Sequence, residues 1–279
     1  METSTGSNNP QLTQFVPCSK VMAGQAKPHP TPCKCESACT AQCVCLTKNM
    51  CCETDCGCPE NCENRYRGCY CSTGQCRSKR CPCFTAEREC DSNICRNCSL
   101  CDGDGSTVGQ PEHKSSCNNM NLQKGLGRRL YRGSTELPGW GLFNSDFIKK
   151  DDFIGEYVGE VITNEEANRR QAEHPGSSYF FTLDDEYIAD AGKTIWNLLR
   201  FGNHSTNRAN CYAVCMFVKG QYRIALFAKE DIVEENELFL DYGPQFHWNG
   251  TEKIELPPKV GTSRGRSGKK TKRKKAKKA

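Results

Sequence analysis

Cysteine is the residue type whose number and spacing in this sequence point most directly to chemistry. The chain has 279 residues and 23 cysteines, and 20 of the cysteines lie between residues 33 and 117. Such density indicates either disulfide bonds or metal ions held by thiolates. A disulfide framework requires an oxidising compartment, and the polar residues after Met1 contain no apolar stretch typical of a signal peptide. The sequence therefore predicts metal thiolates.

The cysteine spacing occurs twice, which indicates two similar units. Cys33-Lys-Cys35 opens the first unit and Cys69-Tyr-Cys71 the second, and each continues to a further Cys-x-Cys pair. Three tetrahedral zinc ions need twelve zinc–sulfur bonds, which nine cysteines supply if three of them bridge two ions each. The first unit offers nine candidates: Cys33, Cys35, Cys39, Cys43, Cys45, Cys52, Cys56, Cys58 and Cys62. The second offers eight, with a ninth required from Cys101 or Cys117: Cys69, Cys71, Cys76, Cys81, Cys83, Cys90, Cys95 and Cys98. About six structural zinc ions are expected.

Residues 76–91, Cys-Arg-Ser-Lys-Arg-Cys-Pro-Cys-Phe-Thr-Ala-Glu-Arg-Glu-Cys-Asp, resemble the CXC domain of the Enhancer-of-zeste proteins. The resemblance implies that Cys117 is the better ninth ligand. It also implies that the cysteines are structural. Some family members have a histidine in the first cluster where Cys35 stands. Arg77, Lys79 and Arg80 either contact the phosphates of DNA or form a solvated basic face.

The second half of the chain carries five motifs that gain meaning from their order. An Asn-His pair alone is typical of a turn, and Leu-Phe-Leu before Asp-Tyr is typical of a buried strand end. The five segments lie at residues 139–143, 156–160, 178–184, 200–205 and 237–243. Together they resemble the SET-domain protein lysine methyltransferases. This resemblance implies a fold of small sheets with a pseudoknot, in which the last two segments thread through each other.

The SET resemblance implies methyl transfer from S-adenosylmethionine to a lysine side chain. Tyr242 is the first catalytic candidate, with its hydroxyl at the methyl-transfer pore, and Tyr157 is expected to hydrogen-bond the substrate nitrogen. The residues implied to bind the cofactor are Gly139, Trp140, Gly141, Tyr179, Asn203 and His204. The residues implied to line the substrate channel are Phe181, Ala191 and Leu240.

The implied reaction needs a neutral amine, because an ammonium group has no lone pair for attack. A free lysine has a pKa of about 10.4. An apolar, aromatic-lined channel and a nearby sulfonium cation both disfavour the charged form. The site must then align nitrogen, methyl and sulfur and complement the moving charge. No metal or strong base is required.

Three departures from the SET pattern have consequences. Leu240 stands where the family usually has Phe or Tyr, and its lack of a hydroxyl argues for room for di- or trimethylation. Thr206 replaces a cysteine, and no cysteine follows Cys215, so the zinc site of many SET enzymes is absent, as in Enhancer-of-zeste proteins. Residues 207–211 carry one residue more than the family's Asn-Pro-Asn-Cys, which leaves the loop geometry open.

The elements that must position these residues are mainly strands. Frequent Gly, Asn and Asp turns between short apolar segments predict a mainly β (α+β) fold. Strands are expected at residues 128–132, 140–143, 153–162, 179–183, 187–190, 212–218, 222–228 and 237–240. Thr163-Asn-Glu-Glu166 is a capping box that predicts a helix to about Glu173. No Gly-rich strand-to-helix loop is present, so the cofactor site is not of the Rossmann type.

Composition divides the chain into four parts. We expect a disordered lead at residues 1–31, a CXC zinc-cluster domain at 32–120, a SET domain at 121–248 and a disordered basic tail at 249–279. The formal charge is +5, but ten Lys and Arg residues lie at 264–278, so the remainder is −5. This basic run is typical of a nuclear localisation signal or a nucleic-acid contact. No apolar run is long enough to cross a membrane.

The resemblance implies a nuclear histone H3 lysine methyltransferase of the Polycomb repressive type, with lysine 27 as the target. Its expected partners are the histone H3 tail on a nucleosome, DNA, and Polycomb-type subunits. One alternative is a methyltransferase for another histone lysine or a non-histone protein. The other is a nucleosome- or DNA-binding module with an inactive SET domain. The intact Tyr157, Asn203, His204 and Tyr242 argue against inactivity.

Overall fold

The chain folds as a cysteine-rich region followed by a region of small β-sheets. The computed structural model describes residues 32–48, 50–72, 74–98, 117–174, 179–194, 196–243 and 255–258. The predicted lead at 1–31, Cys101 and the basic run at 264–278 lie outside the described residues. In the described part of the chain, no helix has the length and apolar character needed to cross a membrane.

The cysteine-rich region has little regular structure, because it has few aliphatic side chains with which to build a core. Its two four-residue helices are α1 (Val44–Thr47) and α2 (Pro82–Thr85). Each begins directly after the first cysteine of a Cys-x-Cys pair and buries the second, Cys45 in α1 and Cys83 in α2. The duplication read from the cysteine spacing therefore extends to local structure.

Among the residues that the structure describes, the sheet region contains ten strands, one longer helix and a short 3-10 helix. The helices are α3 (Asn164–Glu173) and the 3-10 helix Leu198–Phe201. The strands are β1 (Leu130–Ser134), β2 (Trp140–Asn144), β3 (Phe153–Tyr157), β4 (Glu160–Thr163), β5 (Phe180–Thr182), β6 (Tyr187–Asp190), β7 (Asn203–His204), β8 (Cys211–Val218), β9 (Gln221–Ala228) and β10 (Phe239–Leu240). The prediction of a mainly β fold is confirmed.

Helix α3 begins as the capping box predicts. The Thr163 hydroxyl accepts a hydrogen bond from the backbone N–H of Glu166 at 3.3 Å, and the helix ends at Glu173.

The predicted strands overlap the observed strands, but their first and last residues differ. Strand β1 starts two residues later than expected, although the Arg128 N–H donates to the Ile154 carbonyl at 2.8 Å and the Arg129 carbonyl accepts from the Ser145 N–H at 2.9 Å.

The strands form three sheets, with orders β1-β2, β3-β9-β8-β10-β7 and β4-β6-β5. Strand β10 lies between β8 and β7 and is parallel to both. Phe239 pairs with Asn203 and Leu240 with His204, so the two motif segments that are about forty residues apart in sequence lie side by side. The threading of a pseudoknot stays a prediction.

The core of the sheet region is aliphatic and lies between the five-stranded sheet and its neighbours. Its fully buried members include Leu142, Ile154, Leu226 and Leu238. Burying one such side chain contributes roughly 1.5–3 kcal/mol. The same cluster contains Phe181 and Leu240, two residues predicted to line the substrate channel. The residues predicted to line the channel therefore belong to the core itself.

The two regions are joined at a contact that we name the Arg88 junction, formed by Glu53, Tyr66, Arg88 and Phe217. The Arg88 guanidinium lies 3.8 Å from the ring centroid of Tyr66 and 4.8 Å from that of Phe217. It forms an ion pair with Glu53 at 2.6 Å, and Arg88 is only 6% exposed. A buried charge needs such a partner, because desolvation is otherwise costly.

Candidate active site and metal centres

The nine cysteines predicted for the first unit lie together in one cluster, in which seven are buried and Cys35 and Cys39 are partly buried. Sγ–Sγ distances are 3.5 Å between Cys39 and Cys52, 3.7 Å between Cys45 and Cys56, and 4.0 Å between Cys33 and Cys39. Cys51, which the ligand count leaves spare, is in neither cysteine cluster. All the cysteines in the described residues are free thiols.

The second cluster gathers the eight cysteines of the second unit together with Cys117. Its Sγ–Sγ distances include 3.5 Å between Cys83 and Cys95 and 3.8 Å between Cys69 and Cys90. Cys117 is 2% exposed within this cluster, whereas Cys101 lies outside the described residues. The geometry therefore supports Cys117 as the ninth thiol.

The donor chemistry of both clusters fits zinc. Four thiolates that surround zinc at 2.3 Å in a tetrahedron are about 3.8 Å apart, close to the distances found here. Sets of four thiols, such as Cys39, Cys52, Cys58 and Cys62, lie within 4.8 Å of one another. The clusters can hold several zinc ions. The ligand assignment of each thiol stays a prediction.

Tyr242 is fixed by two hydrogen bonds to the neighbouring motif. Its hydroxyl donates to the Gly202 carbonyl at 2.7 Å, and its backbone N–H donates to His204 Nδ1 at 2.9 Å. The two rings are also in contact, with centroids 5.2 Å apart. Because Nδ1 accepts a hydrogen bond, the neutral imidazole carries its proton on Nε2.

Tyr157 lies on the other side of the predicted channel. Its hydroxyl donates to the Tyr179 carbonyl at 2.7 Å, and its ring packs 5.7 Å from that of Phe181. Burial raises the pKa of Tyr157 well above its ordinary value, and nearby Tyr242 adds to the shift. Burial also raises the pKa of Tyr242. Both hydroxyls therefore stay protonated at neutral pH.

The remaining channel candidates lie around these two tyrosines. Leu240 and Phe181 belong to the core cluster against which Tyr157 and Tyr242 pack. Ala191 is fully buried, and its N–H donates to the Tyr179 carbonyl at 3.0 Å. The structure thus brings the predicted channel residues to one place.

The predicted cofactor residues of the first and fourth motifs meet between β2 and β7. The Asn203 side-chain amide donates to the Trp140 carbonyl and to Glu237 Oε1, both at 3.1 Å. Gly141 lies so close to the Glu237 carboxylate that a Cβ there would overlap it. Gly139 has a φ of +101°, a conformation that favours glycine. The Trp140 side chain is 49% exposed.

Tyr179 lies between the predicted channel and the guanidinium group of Arg200. The Arg200 guanidinium lies over its ring at 3.9 Å and donates to the Gly192 carbonyl at 3.0 Å. The Tyr179 carbonyl accepts hydrogen bonds from both Tyr157 and Ala191. Tyr179 is therefore held from both faces, between the channel and Arg200.

Sequence reasoning missed Glu255, which lies in the predicted disordered tail. The Glu255 carboxylate accepts hydrogen bonds from the Ser205 hydroxyl and the Asn207 N–H, both at 3.0 Å. The tail prediction from residue 249 therefore fails for residues 255–258. The available signal was the apolar Ile-Glu-Leu-Pro-Pro stretch before the basic run.

Asn210 is a second residue that sequence reasoning assigned no role. Its side chain accepts from the Phe239 N–H at 2.9 Å and donates to the Glu237 carbonyl at 2.8 Å. It thereby anchors β10 beside β7. The longer loop at residues 207–211 still ends with an asparagine in this position.

Comparison with known proteins agrees with this architecture. Residues 139–243 match the SET domain family and residues 68–100 the CXC domain family. The histone-lysine N-methyltransferase MEDEA of Arabidopsis thaliana is 45% identical over 251 residues, which cover 88% of this chain and 36% of that protein. The histone-lysine N-methyltransferase CLF of the same plant is 43% identical over 216 residues, covering 76% of this chain and 24% of that protein.

Solved structures give the same result. The autoinhibited polycomb repressive complex 2 called ctPRC2, bound to S-adenosylmethionine, is 31% identical with a TM-score of 0.66, over 80% of this chain and 30% of that chain. A ctPRC2 complex with H3K27me3 and H3K27M has a TM-score of 0.59 at 30% identity, over 69% of this chain and 25% of that chain. The chain spans about a third or less of the length of these proteins.

Proposed function

The chain is an Enhancer-of-zeste-like CXC–SET protein, and from that premise we propose that it transfers methyl groups from S-adenosylmethionine to lysine 27 of histone H3. The similar proteins MEDEA and CLF are named histone-lysine N-methyltransferases, and similar solved structures contain S-adenosylmethionine or H3K27me3. The proposed setting is the nucleus, with Polycomb-type subunits as partners and transcriptional repression as the outcome.

The arrangement of the Tyr157 and Tyr242 hydroxyls is the observation that carries this function. Each hydroxyl already donates its proton to a backbone carbonyl, of Tyr179 and Gly202 respectively. A phenol oxygen in this state still has lone pairs that accept. Both oxygens are therefore suited to accept N–H groups of a substrate amine and to direct its lone pair toward the methyl group.

The surroundings of these oxygens favour the neutral amine. Phe181, Leu240 and Ala191 are buried and apolar, so an ammonium group entering the channel loses hydration without gaining a counter-ion. The raised pKa values of both tyrosines keep their hydroxyls neutral, so they act as orienting acceptors instead of bases. The amine proton is released to solvent before transfer.

The groups between β2 and β7 fit the proposed cofactor. They offer the half-exposed Trp140, the Asn203 side-chain carbonyl and backbone carbonyls, and these acceptors suit the amino groups of an adenine and of an amino-acid end. Gly139, Trp140, Gly141, Asn203 and His204 would hold it, with Tyr179 beside Arg200 on the channel side. When bound, S-adenosylmethionine supplies an electrophilic methyl group on a sulfonium.

Leu240 bears on how many methyl groups are added. It is buried beside Tyr157 and Tyr242 and brings no hydroxyl that could anchor a water molecule in the channel. More room is therefore left for a methylated amine to turn. We propose that di- and trimethylation are within the reach of this site.

Nucleosomes, isotope-labelled S-adenosylmethionine and the chain with its partner subunits provide the test. Mass spectrometry should locate the label on lysine 27 of histone H3. Tyr242→Phe should lower the methylation rate at least about 100-fold while nucleosome binding persists. Tyr70→Phe, which alters a 70% exposed ring in the cysteine-rich region, should leave the rate unchanged. Absence of transfer to any histone by the wild-type complex would refute the enzyme assignment, and label on another lysine would refute the target.

A further inference from the structure

Residues 255–258 form a short segment that lies on the loop after β7, and we name it the C-terminal clasp. The Arg208 guanidinium donates to the Pro257 carbonyl at 2.7 Å, and the Asn207 side chain donates to the Leu256 carbonyl at 3.2 Å. Leu256 is buried. These contacts hold the clasp against the segment that carries Asn203 and His204.

The clasp brings one charged group to this segment, the Glu255 carboxylate. Oε1 accepts from the Ser205 hydroxyl and the Asn207 N–H, each at 3.0 Å. Oε2 lies 3.5 Å from His204 Nε2, and the Glu255 side chain is 27% exposed. The carboxylate therefore bridges the loop backbone and the imidazole.

His204 is placed so that its two ring nitrogens have different tasks. Nδ1 accepts the Tyr242 backbone N–H at 2.9 Å, which requires Nδ1 to be unprotonated. The proton is then on Nε2, which faces the Thr206 hydroxyl at 3.3 Å and Glu255 Oε2 at 3.5 Å. Acceptors on the Nε2 side favour the tautomer that the Tyr242 contact needs.

One group on the other side of the ring opposes this preference. Asp241 Oδ1 lies 3.9 Å from Nδ1 and would favour a proton there. Asp241 is 44% exposed, however, so solvent screens it, and the Nδ1 position is already occupied by the Tyr242 N–H. Glu255 is less exposed, at 27%, so solvent screens its charge less than that of Asp241.

We propose that Glu255 is a positioning residue for methyl transfer. It fixes His204 as the Nε2–H tautomer, and His204 Nδ1 in turn accepts from the Tyr242 backbone N–H. This contact holds the residue whose hydroxyl donates to the Gly202 carbonyl. This inference rests on the proposed function for its effect on rate, but its effect on the His204 tautomer stands on geometry alone.

The test compares Glu255→Ala and Glu255→Gln with the control Glu234→Gln, which changes an exposed glutamate distant from the clasp in sequence. Histidine-selective ¹⁵N NMR of the full chain reports the tautomer, and a His204→Asn variant identifies the His204 signals among five histidines. In the wild-type protein, His204 should be present as the Nε2–H tautomer alone. Glu255→Ala should show mixed tautomers, and Glu255→Gln should keep the wild-type pattern, because the amide oxygen still accepts.

Kinetics of the same variants in the partner complex give the second measurement. Glu255→Ala should lower kcat about tenfold to 100-fold with little change in KM for the histone substrate, since displacement of a reacting group acts on the chemical step. Glu255→Gln should recover most of that loss. A wild-type tautomer pattern in Glu255→Ala would overturn the proposal, and if that variant does not fold, mixed tautomers in Glu255→Gln would overturn it as well. Because the NMR result does not depend on activity, it separates a failure of this inference from a failure of the proposed function.

Discussion

The cysteine-rich region and the sheet region bury different kinds of side chain. In the first, the two clusters of buried residues consist almost entirely of thiols, with Met120 the exception. In the second, the main cluster is built mostly from Leu, Ile, Ala and Phe and also contains Cys211 and Cys215. We therefore expect the first region to depend on metal bonded to its thiols for its stability, whereas the other is stabilised by the removal of apolar surface from water.

The difference extends to local structure. The cysteine-rich region places its backbone in loops, where Arg65 donates to several carbonyls of the first unit, including those of Glu53 and Cys56. The sheet region satisfies its backbone in ladders such as the eight-residue pairing of β8 with β9. A loop-rich region needs bonds that set geometry, and metal coordination supplies them.

Removal of the metal should give the largest difference in stability between the two regions. Structural zinc contributes an apparent binding free energy of about 10–16 kcal/mol, comparable with the whole stability of a domain. A strong chelator should therefore unfold the cysteine-rich region and leave strands β8 and β9 protected. Hydrogen exchange with mass spectrometry measures this, and metal analysis before chelation should find about six zinc ions.

Matched cysteine variants control the metal experiment. Cys95→Ser removes a thiol from the second cluster and should lower the zinc content, whereas Cys51→Ser, which changes a thiol outside both clusters, should not. Two or fewer zinc ions in the wild-type protein would contradict the two-cluster arrangement.

The Arg88 junction couples the stability of the cysteine-rich region to that of the sheet region. Arg88→Met should destabilise the protein by about 3–5 kcal/mol, because it leaves the Glu53 carboxylate without its cation in a buried contact. The double variant Arg88→Met/Glu53→Leu removes both charges and should recover most of that loss. Chemical denaturation of the metal-loaded protein measures both. Equal losses in the single and double variants would show that packing on Tyr66 and Phe217, and not charge, governs the junction.

A smaller loss of stability is expected from a substitution in the sheet region that alters neither the Arg88 junction nor the cysteine clusters. Thr163→Ala removes the N-cap of α3 and should cost about 1 kcal/mol. Thr163→Ser keeps the hydroxyl and should recover most of it. Thermal unfolding with parallel metal analysis is the measurement, and altered zinc content in Thr163→Ala would mean that the regions are coupled beyond the Arg88 junction.

Local sequence patterns predicted much of the fold that the structure shows. Cysteine spacing identified the nine members of the first cluster and eight of the second, because Cys-x-Cys pairs and short loops leave few ways to gather thiols. The resemblance to the CXC domain, and not the spacing, favoured Cys117 over Cys101 as the ninth. The Thr163 capping box and the strand from Tyr187 to Asp190 follow from chemistry within a few residues. The motif resemblance brought Tyr157, Tyr242 and Phe181 to one site, a grouping that local pattern does not contain.

Contacts between distant segments could not be read from the sequence. The pairing of Arg88 with Glu53 depends on how two loop-rich units dock, and neither residue lies in a periodic pattern. The role of Glu255 could not be predicted because its partners, Ser205 and Asn207, precede it by about fifty residues. The composition of the segment that carries Glu255 also resembles that of the tail around it. Such positions are chosen by tertiary packing, which local propensity does not report.

The parallel pairing of β10 with β7 has a consequence for the order in which the protein gains activity as it folds. His204 meets Leu240 and Tyr242 only after about 35 intervening residues, including the β8–β9 hairpin, have closed a loop. Closing such a loop costs entropy before its contacts form, and non-local pairings of this kind slow folding. The β8–β9 hairpin needs a far shorter closure, of two residues between Val218 and Gln221. We therefore expect the proposed methyl-transfer centre to mature after the β8–β9 hairpin, so that a newly made chain forms this hairpin before it can bind a substrate lysine.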